Sequence, residues 1–449
     1  MSFDAVRNYA RHILRPLGLL DEAAPLPARR TPALPPSTSA AWQSSTHAFL
    51  GASNRSVPKS WPLERFDDDP AAIVEDRAHD IVYDPQSAEL RAAAGADSPD
   101  ASFWLYERER KPAGARPEEV PAPWLVAKRY TPSQSGTSAA QQPGVTLLLL
   151  PGMGVPKEIC EPLIKLMLPQ FAAAGVKLDE IWTLDMPMSG ETALANPRGY
   201  LYGNEKDIAR DVLHFLTAYL PLQPGGKLDE TLPYRAPQGD KAQQITRPNL
   251  HVAAHSLGAQ SALLIAAHAP ELFASLTVFD PAIVPPGKIL DGFSKLPNDV
   301  FCTMLGERWP SRKALREAVK KNKRMGGWDD RIIDAFVERG VVEEADGSLR
   351  LAAPPRLEWA LYFDKETPSH TFDRIPDVRV PLQAVMPARP FATPPKLFQK
   401  IFDGLPQPKR LVWVDNVTHQ LFYERLDDSA AHIVGFIKER QAGQSKARL

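Results

Sequence analysis

The sequence is poor in cysteine, with two among 449 residues, Cys160 and Cys302. That excludes a disulfide framework and a cysteine-rich zinc site. It lacks an excess of charge of either sign. Lys and Arg number 53 against 54 Asp and Glu, a net charge of -1. A balanced chain is without the electrostatic footprint of a dedicated nucleic-acid binder. It also lacks an apolar run of bilayer length. The longest pure stretches, such as VTLLLL at 145–150, are far too short to cross a membrane, so no transmembrane segment is expected. No charged-then-apolar leader with a small-residue cleavage site opens the chain, so secretion is not expected. What is present is enough for a core. The chain is 43% hydrophobic, which excludes wholesale disorder, and its length suits one large domain with insertions or two domains.

Proline is plentiful, at 45 residues, but unevenly spread. Residues 21–59 contain PLPARRTPALPP followed by a polar Ser/Ala stretch, and read as mostly irregular. Ahead of them, residues 3–20 suit a short helix with Val6, Ala10, Ile13, Leu14 and Leu17 on one side. Arg7, Arg11 and Arg15 there would suit a mitochondrial presequence; Asp4, Asp21 and Glu22 spoil its acid-free pattern and favour a surface helix. Residues 1–70 therefore read as an N-terminal extension.

From residue 71 the pattern turns strand-like, at 80–83, 103–106 and 124–130. The run at 145–150 suits a strand buried on both faces of a parallel sheet. Helix-like segments at 157–173, 206–219 and 259–267 then alternate with strand-like segments at 180–184, 250–254 and 276–279. This rhythm predicts an α/β fold, a mostly parallel central sheet with helices on both faces, whose first part is 71–280. It breaks after Asp280. Residues 281–376 read as an inserted, mainly helical lid with no obvious buried strand. The core resumes over 377–441, with strands at 378–386 and 410–414, helices at 395–402 and 430–441, and a flexible tail at 442–449. Trp309, Met325, Trp328, Phe336, Trp359 and Phe363 of the insertion are candidates to line an apolar pocket. Aromatics at helical spacing are mostly core, so two or three of them are expected to touch substrate.

The segment LHVAAHSLG at 250–258 runs a strand into a tight turn and a small-residue helix. That is the setting of a nucleophile elbow, in which a strained turn projects a serine, here Ser256. Ala254 and Gly258, two before and two after, keep the close backbone approach open. Gly is more usual at the first of these positions. Ser256 also begins a helix, where backbone N–H groups favour developing negative charge. LPGMG at 150–154 follows the apolar strand, and a glycine-rich turn there can aim a backbone N–H at the same point. Met153 and Leu257 are thus the expected oxyanion-hole donors. His419, in the loop after the last expected strand and before the closing helix, can reach the serine as general base. His255 lies inside the elbow, where its side chain is expected to point away from the nucleophile. The usual place for the acid, 381–390, holds neither Asp nor Glu. A carboxylate one strand earlier can serve, and Asp280, which ends the strand at 276–279, is the candidate; Asp415 is too near His419 in sequence to reach around its ring.

These residues, with PGMGVPKEICEPLI (151–164), IWTLDMPMSGETALAN (181–196), DIARDVLHFL (207–216) and the stretch from AHSLG to DPAI (254–283), resemble a family of fungal α/β-hydrolases that includes a yeast peroxisomal lipase and hydrolases of host-selective toxin biosynthesis. The resemblance covers roughly a third of the chain and departs from the family at Pro151, where His is usual. It implies the α/β-hydrolase fold, Ser256 as nucleophile and His419 as base, and leaves the acid open. The chain's last residues, Ala447, Arg448 and Leu449, form a small-basic-leucine variant of a peroxisomal address. The expected location is the peroxisome, with the import receptor as partner, and cytoplasm or mitochondrion as alternatives. Together these readings predict a serine hydrolase of an ester or thioester with a hydrophobic acyl part, needing neither metal nor organic cofactor. An acyltransferase using the same residues, or a non-catalytic binding protein on the same scaffold, are the alternatives.

Overall fold

Residues that alternate between two apolar faces dictate the centre of the molecule. In β3 (Val145–Leu150) the side chains of Leu148 and Leu150 enter one core and those of Leu147 and Leu149 the other, because successive strand residues point to opposite faces. All four are at most 1% exposed, and burying each contributes about 1.5–3 kcal/mol. The computed structural model describes residues 41–52, 122–133, 144–186, 189–196, 205–235, 247, 249–285, 305–353 and 366–447. The helix expected at 3–20, the strands expected at 80–83 and 103–106, and Trp359, Phe363, Cys302, Arg448 and Leu449 lie outside these.

In chain order the first part contains β1 (Trp42–Leu50), β2 (Trp124–Pro132), β3, α1 (Glu161–Ala173), β4 (Leu178–Leu184), α2 (Gly190–Ala195), α3 (Glu205–His214), β5 (Leu250–His255), α4 (Ser256–His268) and β6 (Ser275–Phe279). The inserted region adds β7 (Arg308–Trp309), α5 (Arg312–Lys321), α6 (Asp330–Arg339), β8 (Val341–Glu343), β9 (Leu349–Leu351) and α7 (Glu366–Arg374). The chain then returns through β10 (Leu382–Pro387), α8 (Pro395–Asp403), β11 (Lys409–Val414), α9 (Leu421–Glu424) and α10 (Leu426–Ala447).

Eight strands form one sheet in the order β1-β2-β4-β3-β5-β6-β10-β11. The pairs from β4 to β11 are parallel, while β2 is antiparallel to both β1 and β4. One face packs against α3, α4, α7 and α8, the other against α1, α10 and the part of the insertion from β7 to β9. This is the mostly parallel, two-sided architecture that the alternation predicts.

Three expectations need correction. Trp42–Leu50 lies in the stretch read as irregular, yet it is a strand whose nine residues pair with β2 from Trp42↔Pro132 to Leu50↔Trp124. Its Ser-rich first half has little strand propensity; cross-strand pairing and burial of Ala48, Phe49 and Leu50 hold it there. The insertion is not simply helical, since β7, β9 and β8 make a small antiparallel sheet. These strands are two or three residues long, below the length at which alternation can be read. The segment after Gln441, read as flexible, continues α10 to Ala447. It holds no proline, and Gln, Ala and Lys all favour helix; Gly443 alone opposes it, by about 1 kcal/mol.

The insertion packs on the turn that follows His419. Trp328 Nε1–H donates to Gln420 Oε1 at 3.3 Å, and Asp329 N–H donates to the Tyr423 carbonyl at 3.0 Å. Trp309, Met325, Trp328 and Phe336 are buried in the core between the insertion, α1 and α10. They act as core residues, the more ordinary of the two roles open to aromatics at helical spacing.

Candidate active site

The site lies where β5, β6 and β11 end, at the C-terminal edge of the parallel strands, where open α/β sheets place their ligands. Ser256 joins β5 to α4 with φ of 52°, a left-handed conformation that a residue bearing a Cβ rarely adopts. Such strain persists only where surrounding structure enforces it. The enforcement is visible at Gly258: a Cβ there would come within 2.5 Å of the Leu150 carbonyl and 2.6 Å of the Pro151 carbonyl. The first turn of α4 is thereby pressed against the end of β3, and the serine is forced outward at the turn.

Asp280 follows β6 directly, also with positive φ, at 31°. Its N–H donates to the Val385 carbonyl at 3.1 Å. His419 lies between β11 and α9. His419 Nδ1–H donates to Asp280 Oδ2 at 2.8 Å, and Ser256 Oγ–H donates to His419 Nε2 at 2.8 Å. The first bond fixes the tautomer: a carboxylate accepts only, so Nδ1 carries the proton and Nε2 offers its lone pair to the hydroxyl. Asp280 is buried, with its side chain 3% exposed, while the imidazole is 18% exposed. The structure thus brings Ser256, His419 and Asp280 into one hydrogen-bonded chain. Asp415 plays no part in it.

The segment after β10, where an acid is more usual, contributes in another way. Phe391 N–H donates to Asp280 Oδ2 at 3.4 Å, and the Phe391 ring lies 5.1 Å from the His419 ring. Thr393 Oγ1–H anchors this segment to the Ile283 carbonyl at 2.7 Å. Met153 stands in the turn after β3, partly buried against the core, and Leu257 is the second residue of α4. Gly152 is the neighbour that reaches the elbow, for a Cβ on it would lie 3.5 Å from Ser256 Cβ.

The sequence suggests no partner for His255; the structure turns its side chain to the histidine loop. Its Nε2–H donates to the His419 carbonyl at 2.8 Å, and its ring lies 5.0 Å from that of His419. Tyr423 meets it edge-on at 5.0 Å and Phe422 stacks on it at 5.6 Å. Tyr423 Oη in turn accepts from Gly152 N–H at 3.1 Å. The signal in the sequence is the adjacency of His255 to the elbow serine, but its direction depends on the strain at Ser256.

A second polar cluster lies beside the site, at the ends of β3 and β4. Lys157 Nζ, 0% exposed, donates to Glu191 at 2.7 Å and Asp185 at 3.2 Å, with Glu158 at 3.1 Å. Asp185 Oδ1 also accepts from Lys157 N–H at 2.7 Å. Burial disfavours the ammonium, but Asp185, Glu158 and Glu191 together hold it protonated, far above its ordinary range. Cys160 is buried next to Glu158 and Glu161; burial and these charges push its thiol up, so it is no thiolate nucleophile. Among the described residues, no group of three or more His, Cys, Asp or Glu could hold a metal ion, and no helix is long and apolar enough to cross a membrane.

No family profile matches the chain. In structure it is similar to the peroxisomal α/β-hydrolase Lpx1 from Saccharomyces cerevisiae, with a TM-score of 0.58, 16% identity, and 89% of this chain and 90% of that one covered. The fold is that of the α/β-hydrolases. In sequence the chain is similar to fungal proteins, the type I acyl-CoA thioesterases mpaH of Penicillium brevicompactum (27% identity over 217 residues) and of Penicillium roqueforti (26% over 227 residues). Each match takes in 48% of this chain and 43% of the relative, so less than half the length of those curated proteins is spanned.

Proposed function

We propose that this α/β-hydrolase is a serine hydrolase that cleaves an ester or thioester with a hydrophobic acyl part through an acyl-enzyme. The observation that carries the reading is the pair of 2.8 Å hydrogen bonds joining Ser256 Oγ, His419 and Asp280 Oδ2. Ser256 Oγ attacks the carbonyl carbon as its proton passes to His419 Nε2. Asp280 holds the imidazole in the useful tautomer and stabilises the imidazolium. The N–H groups of Leu257, at the start of α4, and Met153 receive the oxyanion. Collapse breaks the acyl–oxygen or acyl–sulfur bond, and His419 returns the proton to the leaving group. Water, deprotonated by His419, then attacks the acyl carbon and frees Ser256. The names of the Penicillium relatives favour a thioester among the two leaving-group classes. The motive for a non-catalytic reading was an acid missing from its usual strand; Asp280 supplies a carboxylate in bonding distance.

A fluorophosphonate probe should label the wild type at Ser256 and leave Ser256→Ala unlabelled, with parallel turnover of acyl-CoA thioesters and p-nitrophenyl esters ranking the two classes. A folded wild type that takes no label would overturn the reading. The peroxisome is the location we propose with it, supported by the peroxisomal assignment of the yeast protein that shares the fold. A chain tagged at its N-terminus should coincide with a peroxisomal marker and lose that coincidence on deletion of Leu449.

A further inference from the structure

We infer that His255 is a positioning residue: it holds the His419 main chain so that the imidazole of His419 stays in line between Ser256 and Asp280. The inference rests on the proposed role of Ser256, but its geometry stands apart from it. His255 is the residue immediately before the serine, so its backbone belongs to the strained elbow. Its side chain reaches the middle member of the hydrogen-bonded chain, where Nε2–H donates to the His419 carbonyl at 2.8 Å. One residue thereby fixes the distance between two loops that are 163 positions apart in sequence. A carbonyl only accepts, so Nε2 must carry a proton.

The ring has no room to choose another partner. It is 1% exposed, with Phe422 stacked on it and Tyr423 edge-on. Nδ1 finds no hydrogen-bond partner, and a Cβ added to Gly152 would come within 2.8 Å of it. Burial, and then the nearby His419, push the His255 ring well below the ordinary imidazole range, so it stays neutral. That neutrality matters beside a histidine that becomes cationic during turnover. A second imidazolium there would repel it and compete for the charge of Asp280. The turn after His419 is held from a second side by Gly152 N–H on Tyr423 Oη at 3.1 Å. The loop expected to bear the oxyanion donor, the elbow and the base are therefore locked around one ring.

The test compares His255→Leu, which removes the donor, with His255→Gln, whose amide N–H can reach the same carbonyl. In His255→Leu, kcat should fall about 10- to 100-fold with KM within about twofold, the size of effect that a misplacement of about 1 Å produces. His255→Gln should recover most of that loss. The far-downfield proton resonance of the His419–Asp280 hydrogen bond should broaden or vanish in His255→Leu and persist in His255→Gln, at matched thermal midpoints. Full activity and an intact resonance in His255→Leu would overturn the inference. So would equal damage in both variants. If the wild type itself fails to react with the fluorophosphonate, the hydrolase reading falls while the resonance still decides whether His255 holds His419. Gly152→Ala gives an independent push on the same ring from the opposite side, and should weaken that resonance too.

Discussion

Two buried polar clusters lie at the same edge of the sheet, and they are built on opposite plans. Around Lys157 one ammonium is enclosed by Asp185, Glu158 and Glu191, and it is fully shielded from water. Around His419 the chain Ser256–His419–Asp280 is strained at two of its three members and leaves the imidazole 18% exposed. The first surrounds its ammonium with carboxylates and reaches water mainly through Glu191, which suits holding the turn after β3 and the segment after β4 in place. The second keeps one proton mobile and one face open, which suits chemistry. Proximity and buried charge are common to both; what separates them is the left-handed backbone at Ser256 and Asp280 and the neutral hydroxyl that takes the place of a second charge.

The sharpest break between them should come from Asp280→Asn. It keeps shape but reverses the tautomer of His419, so turnover should drop about 10⁴-fold while the urea midpoint barely moves. Rates and unfolding curves on the same preparation check both halves. Lys157→Met should do the reverse in kind. Removing the cation takes a buried charge partner from Asp185, Glu158 and Glu191, and stability should fall by about 3–5 kcal/mol in urea unfolding, with Ser256 still labelled by the probe in the fraction that remains folded. If Lys157→Met unfolds no more easily than the wild type, the closed cluster is not holding the turn after β3.

Mild acid should sharpen the contrast with a smaller effect. His251 and His255 both lie on β5, the strand that delivers Ser256. Burial pushes His251 down to about 4, and His255 falls well below its ordinary value. The unfolded chain takes up these protons near pH 6.5 and the folded chain does not, so stability falls as pH drops from about 6.5 toward 4. His251 alone should account for about 2 kcal/mol between pH 6.5 and 5. Urea midpoints at the two pH values check the sign, and His251→Gln should flatten the dependence.

Much of the site could be read from the sequence because its members mark the ends of strongly patterned elements. Ser256 follows an apolar strand and precedes a small-residue helix, His419 follows the last strand, and Asp280 is the last residue before Pro281 breaks the rhythm. Alternation placed β3, β4, β5 and β6 to within two residues for the same reason. What could not be read depended on contacts distant in sequence. β1 exists through its pairing with β2, across more than seventy intervening residues. The aim of His255 depends on the strain at its neighbour. The charged residues around Lys157 look, one at a time, like ordinary solvated surface; only the fold shows that they are enclosed.

The seating of the insertion on Gln420 and Tyr423 has a mechanical consequence. The insertion and the segment just after His419 share the same two hydrogen bonds, Trp328 to Gln420 and Asp329 to Tyr423. If His419 acts as the proposed base, any displacement of the insertion at Trp328 and Asp329 would be felt at the segment that holds it.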